Sequence, residues 1–170
     1  MKIAYTFSPD RGATNLLLAQ LAEDLASRGL RLCGTVQVDT EREEEHHCDM
    51  DVQVLPAGPT IRISQTLGKE ARGCRLDPES LEQAVSLTEK ALEGGADLLI
   101  VNTFGKHEAD GRGFRDTIGL ALSKDIPVIV GASRLNVDAL NAYCDGMAVE
   151  LAPDIEALRD WALSEPADAA

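Results

Sequence analysis

The chain has 170 residues, 44% of them hydrophobic, and a formal net charge of −13 at pH 7. That length supports one domain with a proper core, and no apolar run approaches the ~20 residues of a membrane span. The acidic balance excludes a general nucleic-acid binder, which needs clustered lysine and arginine, and one tryptophan with two tyrosines and three phenylalanines leaves little for base stacking. The opening MKIAYTFSPD lacks a secretory pattern. Cys33, Cys48, Cys74 and Cys144 show no close pairing. A cytoplasmic protein with reduced thiols is therefore expected.

Ile3–Phe7 reads as a strand, Ser8–Gly12 as a tight loop, and a helix follows from about Ala13. Leu17, Leu18, Leu21, Leu25 and Ala26 keep the three-and-four spacing of a half-buried helix, and Gly29 is a suitable stop. Leu30–Val38 predicts a second strand, Thr40–His47 a solvated loop, and Cys48–Leu55 a further strand before the turn at Pro56–Pro59. Thr60–Gln65 alternates as a hairpin partner with one wet face. Leu67–Leu76 is a glycine-containing loop with Lys69, Arg72 and Arg75.

Asp77-Pro78 starts a helix that keeps Leu81, Ala84, Val85, Thr88, Ala91 and Leu92 on one face and ends at Gly94-Gly95. Asp97–Asn102 is a continuous apolar strand, the kind buried on both faces of a parallel sheet. A loop and helix (Thr103–Lys124), a strand (Ile126–Gly131), a helix (Leu135–Cys144), a short strand (Met147–Leu151) and a last helix (Pro153–Leu163) complete the series. The pattern predicts one domain over 1–165, a frayed tail at 166–170, and an α/β fold: a mainly parallel sheet, helices on both faces and a small antiparallel hairpin. Ligands of such sheets sit beyond the carboxyl ends of the strands.

Two loops meet at that edge. Phe7–Thr14 can be set against the phosphate-cradling pattern G-x-x-x-x-G-K-[ST]; Gly12 and Thr14 match, whereas Phe7 and Ala13 replace the first glycine and the lysine. A strand turning directly into a helix aims amide hydrogens and the positive helix end at one spot. Ser8, Asp10, Arg11, Gly12, Ala13 and Thr14, with Asn102 at the neighbouring strand end, thus form a candidate anion seat, with Arg11 as a partial substitute for the lysine. Millimolar binding needs only about 4 kcal/mol. The bland reading is a structural turn.

The second loop, Val101–Arg115, starts with Asn102, where nucleotide hydrolases place an acid holding a magnesium-bound water. Lys106 and Arg112 are candidates to clamp a phosphate, and Glu108 to position a water; the alternative has Glu108 and Asp110 merely capping the helix. His107 is a candidate general base or simple polar surface. Arg72, Arg75 and Arg134 are candidates to reach the same pocket. His46, Cys48, Asp49 and Asp51 with Cys74 hold metal-ligating groups, but no CxxC or HxxxH spacing is present, and Asp49 and Asp51 share a strand face that can instead meet Arg62 or Arg75.

The chain resembles THEP-type nucleoside-triphosphatases, in which an Asp-Glu pair ends the apolar strand and glycine, lysine and glutamate follow. Gly105, Lys106 and Glu108 agree; Asn102-Thr103 stand where the acids would be. It is more closely similar to an uncharacterised bacterial family through Arg11–Thr14, Cys48–Asp51, Ile63–Gly68, Gly73–Asp77 and Phe104–Phe114. That resemblance implies a three-layer P-loop NTPase-like fold of unassigned activity, often linked by gene neighbourhood to molybdate transport. The expected function is a degenerate P-loop domain that binds a nucleotide or other oxyanion with slow or absent hydrolysis, using Mg2+ only if a nucleotide binds. The alternative is a non-catalytic oxyanion sensor, carrier or interaction protein of molybdenum metabolism. The expected ligand is a small anion (nucleotide, phosphate or molybdate), with no nucleic acid or membrane; a protein partner or homodimer stays open.

Overall fold

The computed structural model describes residues 1–10, 12–41, 48–65 and 75–165. Arg11, the acidic run at 42–47 with His46, the stretch 66–74 with Lys69, Arg72 and Cys74, and the expected tail at 166–170 lie outside the described residues. The strands are β1 (Ile3–Thr6), β2 (Leu32–Glu41), β3 (Cys48–Leu55), β4 (Thr60–Arg62), β5 (Ser64–Gln65), β6 (Arg75–Leu76), β7 (Leu98–Phe104), β8 (Val128–Ala132) and β9 (Val149–Leu151). The helices are α1 (Ala13–Ser27), α2 (Pro78–Glu93), α3 (Lys106–Ala109), α4 (Arg115–Ser123), α5 (Val137–Tyr143) and α6 (Ile155–Leu163).

The main sheet runs β4-β3-β2-β7-β8-β1-β9. From β2 to β9 every pairing is parallel, while β3 and β4 extend the β2 side antiparallel. Residues on β7 alternate between two cores. Leu98 and Ile100 face Leu18, Leu21 and Leu25 of α1 and Leu158 of α6, whereas Leu99 and Val101 face Leu81, Val85 and Leu92 of α2, Ile118 of α4 and Leu140 of α5. Each fully buried leucine or isoleucine contributes about 1.5–3 kcal/mol. The sheet is therefore covered on both sides, and the expected mainly parallel α/β architecture is what the chain adopts.

Two segments differ from expectation. Thr60–Gln65 is split at Ile63: β4 pairs with β3, and β5 leaves to pair with β6 in a separate two-stranded ribbon. The cause is the buried Ile63, whose N–H donates to Met50 O while the next hydroxyl, Ser64 Oγ, accepts from Met50 N–H. The Thr103–Lys124 region holds two helices instead of one, because Gly111 (φ 88°) and Gly113 (φ 62°) take the left-handed conformation between them.

At the amino edge, Arg31 and Asp97 join the starts of β2 and β7. Asp97 Oδ2 accepts the Arg31 backbone N–H at 2.7 Å, and Oδ1 accepts from the guanidinium at 3.1 Å. The guanidinium hydrogen bond, then the backbone N–H, holds this carboxyl below its ordinary value. A lowered folded-state value means that the stabilisation is present above about pH 4 and lost as pH falls through the folded-state value. Asp97→Asn should therefore reduce stability at neutral pH, and the gap to the parent protein should close on acidification, as read by urea unfolding across pH. At Gly34 (φ 110°), an added Cβ would lie 1.8 Å from Ile100 O on β7. Gly34→Ala should cost about 3 kcal/mol or more in the same measurement.

Candidate functional site

β1 lies between β8 and β9, and its connection through α1 runs to β2, away from β9. The carboxyl end of β1 is thus a point where the chain's crossovers diverge, the usual ligand position in open α/β sheets. Gly12 (φ 76°) closes the loop and starts α1, and no acidic residue occupies that helix's first turn. Thr14 Oγ1 accepts the Ser8 N–H at 2.9 Å, Ser8 Oγ accepts the Asp10 N–H at 3.3 Å, and Asp10 O accepts the Ala13 N–H at 3.1 Å. The loop is therefore already folded on itself, and an anion has to compete with bonds worth about 1 kcal/mol each. Arg134, after β8, stacks its guanidinium 5.6 Å from the Phe7 ring and brings a positive charge beside this loop.

Asn102, only 4% exposed, is the hub of the neighbouring strand end. Its Oδ1 accepts the Gln37 N–H at 3.0 Å, and its Nδ2 lies within donating distance of Asn15 Oδ1 (2.9 Å), Gln37 Oε1 (3.2 Å) and Thr103 Oγ1 (3.1 Å). One carboxamide thereby ties α1, β2 and β7 together. Asn15 and Lys106 line one cavity of about 350 Å3, so the first turn of α1 and the loop after β7 do meet at one rim. Sequence reasoning passed over Asn15 and Gln37. The only available signal was a polar residue placed where the flanking apolar pattern points inward.

Glu108 is 4% exposed, and its carboxylate closes the loop. Oε2 accepts the Gly105 N–H at 2.9 Å and Oε1 the Phe114 N–H at 3.1 Å. Gly113 packs so tightly on it that a Cβ there would sit 2.2 Å from Oε1. Of the two readings of Glu108, this geometry matches the cap. Arg112 is carried away by the same glycine turn. It lines an open groove of about 690 Å3 with Glu79, Glu82, Glu89 and Asp116 on the α2 side, where Glu82 Oε1 accepts the Gly113 N–H at 3.2 Å. Arg112 thus lies in this groove and not among the residues lining the cavity with Lys106; His107 lines both spaces.

Asp49 and Asp51 meet Arg62, at 3.3 Å and 3.0 Å, which accounts for their shared strand face. Among the described residues no group of three or more His, Cys, Asp or Glu is placed to hold a metal ion. Magnesium prefers several oxygen ligands with carboxylates among them. Among the described residues at this edge, Thr14 Oγ1, Asn102 Oδ1 and both Glu108 oxygens already accept backbone N–H groups. Cys33 and Cys144 are buried thiols whose pKa burial pushes up, the opposite of activation. No helix among the described residues is long and apolar enough to cross a membrane. Glu108→Gln should set an NH2 against a backbone N–H and cost about 1.5–3 kcal/mol of stability, read as a lowered urea midpoint. An unchanged midpoint would refute the capping role.

Comparison with known proteins places this geometry in context. The fold resembles that of a human cancer-related nucleoside triphosphatase solved in solution, with a TM-score of 0.61, 18% identity and 89% of each chain covered. This likeness agrees with the expected P-loop NTPase-like architecture. A Bradyrhizobium diazoefficiens protein, Molybdenum import ATP-binding protein ModC 2, is 32% identical over 145 residues, which is 85% of this chain and 16% of that protein. The chain therefore spans only a small part of that relative's length. The model of the family described as "Protein of unknown function (DUF2478)" matches residues 3–161, and the chain belongs to that family.

Proposed function

We propose that this chain is a degenerate P-loop domain that binds a small anion, a nucleotide or another oxyanion, at the carboxyl edge of its sheet, with hydrolysis slow or absent. The observation that carries the reading is the Ser8–Thr14 loop between a buried parallel strand and α1, turned by the left-handed Gly12. The positive end of α1, with Arg134 beside it, supplies the attraction. Lys106, at the cavity rim, supplies a second charge.

Hydrolysis is disfavoured for a different reason: the groups that would perform it are missing or used. Ala13 replaces the loop lysine, Asn102 is a neutral amide bonded to its neighbours, and both Glu108 oxygens accept backbone N–H groups. Positioning and charge stabilisation dominate phosphoryl transfer, so their loss leaves binding as the surviving function. Magnesium would enter only with a nucleotide, carried by its phosphates.

A second reading is a non-catalytic oxyanion sensor or carrier in molybdenum metabolism, favoured by the likeness to a protein whose name assigns it to molybdenum import. Calorimetric titration with ATP, GTP, phosphate and molybdate, each with and without magnesium, separates the two. Magnesium-dependent nucleotide binding supports the first, and magnesium-independent oxyanion binding the second. Thr14→Val should weaken whichever anion binds by about tenfold, a loss of about 1.4 kcal/mol. Heat from none of the four ligands would overturn both.

A further inference from the structure

The loop after β1 departs from the phosphate-cradling pattern at two positions: Phe7 stands in place of the first glycine and Ala13 in place of the lysine. One contact connects these departures. The Arg134 guanidinium lies 5.6 Å from the centroid of the Phe7 ring, inside the roughly 6 Å over which a ring face attracts a cation. The fold puts it there. Thr6 pairs with Gly131, so β1 and β8 end side by side and the loops that follow them leave from the same edge. Gly131 lets the end of β8 approach α1: a Cβ there would lie 3.1 Å from Leu18 Cδ1, one helical turn beyond Thr14. The turn Ser133–Asn136 is then closed by two bonds of 2.9 Å, from the Asn136 N–H to Ser133 O and from Asn136 Nδ2 to Ser133 Oγ. Within that turn Leu135 is 92% exposed, whereas Arg134 reaches the Phe7 ring. Among the described residues the Arg134 side chain makes no ion pair, not even with Asp10 of the loop it borders, and no hydrogen bond. Its N–H donors are therefore open to an oxyanion.

We propose that Phe7 is a positioning residue that holds Arg134 beside the Ser8–Thr14 loop as the cation replacing the pattern's lysine, and so fits the seat to a tetrahedral oxyanion taken by two of its oxygens. The inference rests on the anion-binding reading given above. A lysine at the helix start is a point charge, whereas a guanidinium is a planar fork that meets two oxygens at once. Phosphate, molybdate and the terminal phosphate of a nucleotide all present such a pair. The ring also restrains a long side chain before the ligand arrives, so less rotamer freedom is lost on binding. The departures at Phe7 and Ala13 are thus one exchange: the cation comes from the turn after β8 instead of from the first turn of α1.

The test is calorimetric titration of the whole chain and its variants with phosphate and with molybdate. Arg134→Ala should weaken binding about tenfold or more, and Arg134→Lys, which keeps the charge and loses the fork, should leave most of that loss in place. Phe7→Leu should weaken binding about two- to fivefold, while Phe7→Trp, which carries the best ring for this contact, should bind at least as tightly as the parent. In the Arg134→Ala background Phe7→Leu should cost nothing more, because the ring acts only through the arginine. A merely structural phenylalanine would instead give losses that add and no rescue by tryptophan. Phe7 is half-buried and Arg134 exposed, so thermal midpoints should stay near the parent's. Were Phe7→Leu to unfold, the comparison of Arg134→Lys with Arg134→Ala still decides. No binding by the parent chain overturns the anion seat and this inference with it. Binding by the parent that Phe7→Leu or Arg134→Lys leaves unchanged, or losses that add in the double variant, overturn this inference alone.

Discussion

The buried carboxamide of Asn102 is the constraint on which the ligand edge depends. An amide inside a sheet edge must satisfy its donor and acceptor or cost on the order of 1–3 kcal/mol for the unmade bonds. Asn102 does so by accepting from β2 and donating toward α1, which fixes where the first turn of α1 stands against the ends of β2 and β7. The same position could carry a carboxylate in a hydrolase; as an amide it serves as a clasp.

A second clasp repeats the logic one turn later in the chain. Glu108 gathers the N–H groups of Gly105 and Phe114 and lets Gly113 lie against it. Together the two clasps produce a rigid edge whose polar groups are mostly committed to one another. Activation of a water needs a carboxylate free to take a proton, whereas both Glu108 oxygens accept backbone N–H groups. The loop after β1 follows suit, with Thr14 and Ser8 hydroxyls accepting from the loop's own amides.

The acidic groove on the α2 side shows how tertiary geometry separates residues that are neighbours in sequence. Lys106 and Arg112 are six positions apart, yet Lys106 borders the cavity and Arg112 the groove lined by Glu79, Glu82 and Glu89. The left-handed Gly111 turns the chain between them.

What the amino-acid sequence determined by itself is the architecture. The uninterrupted apolar runs around Leu98–Val101 and Val128–Val130 demand burial on both faces, and the strand–helix alternation then leaves a mainly parallel sheet as the economical solution. The Asp77-Pro78 start of α2 and the shared strand face of Asp49 and Asp51 were legible because local spacing governs them, whereas spacing leaves open the choice of Arg62 over Arg75 as their partner. Only the tertiary structure decided the contacts at the edge. Whether Glu108 faces a ligand or two amides, whether Arg112 joins Lys106, and that Asn15, Gln37 and Asn102 share one network all depend on contacts between segments up to 87 residues apart. Local pattern carries no information about those, because they are set by how the sheet and its two helix layers bring distant strand ends together.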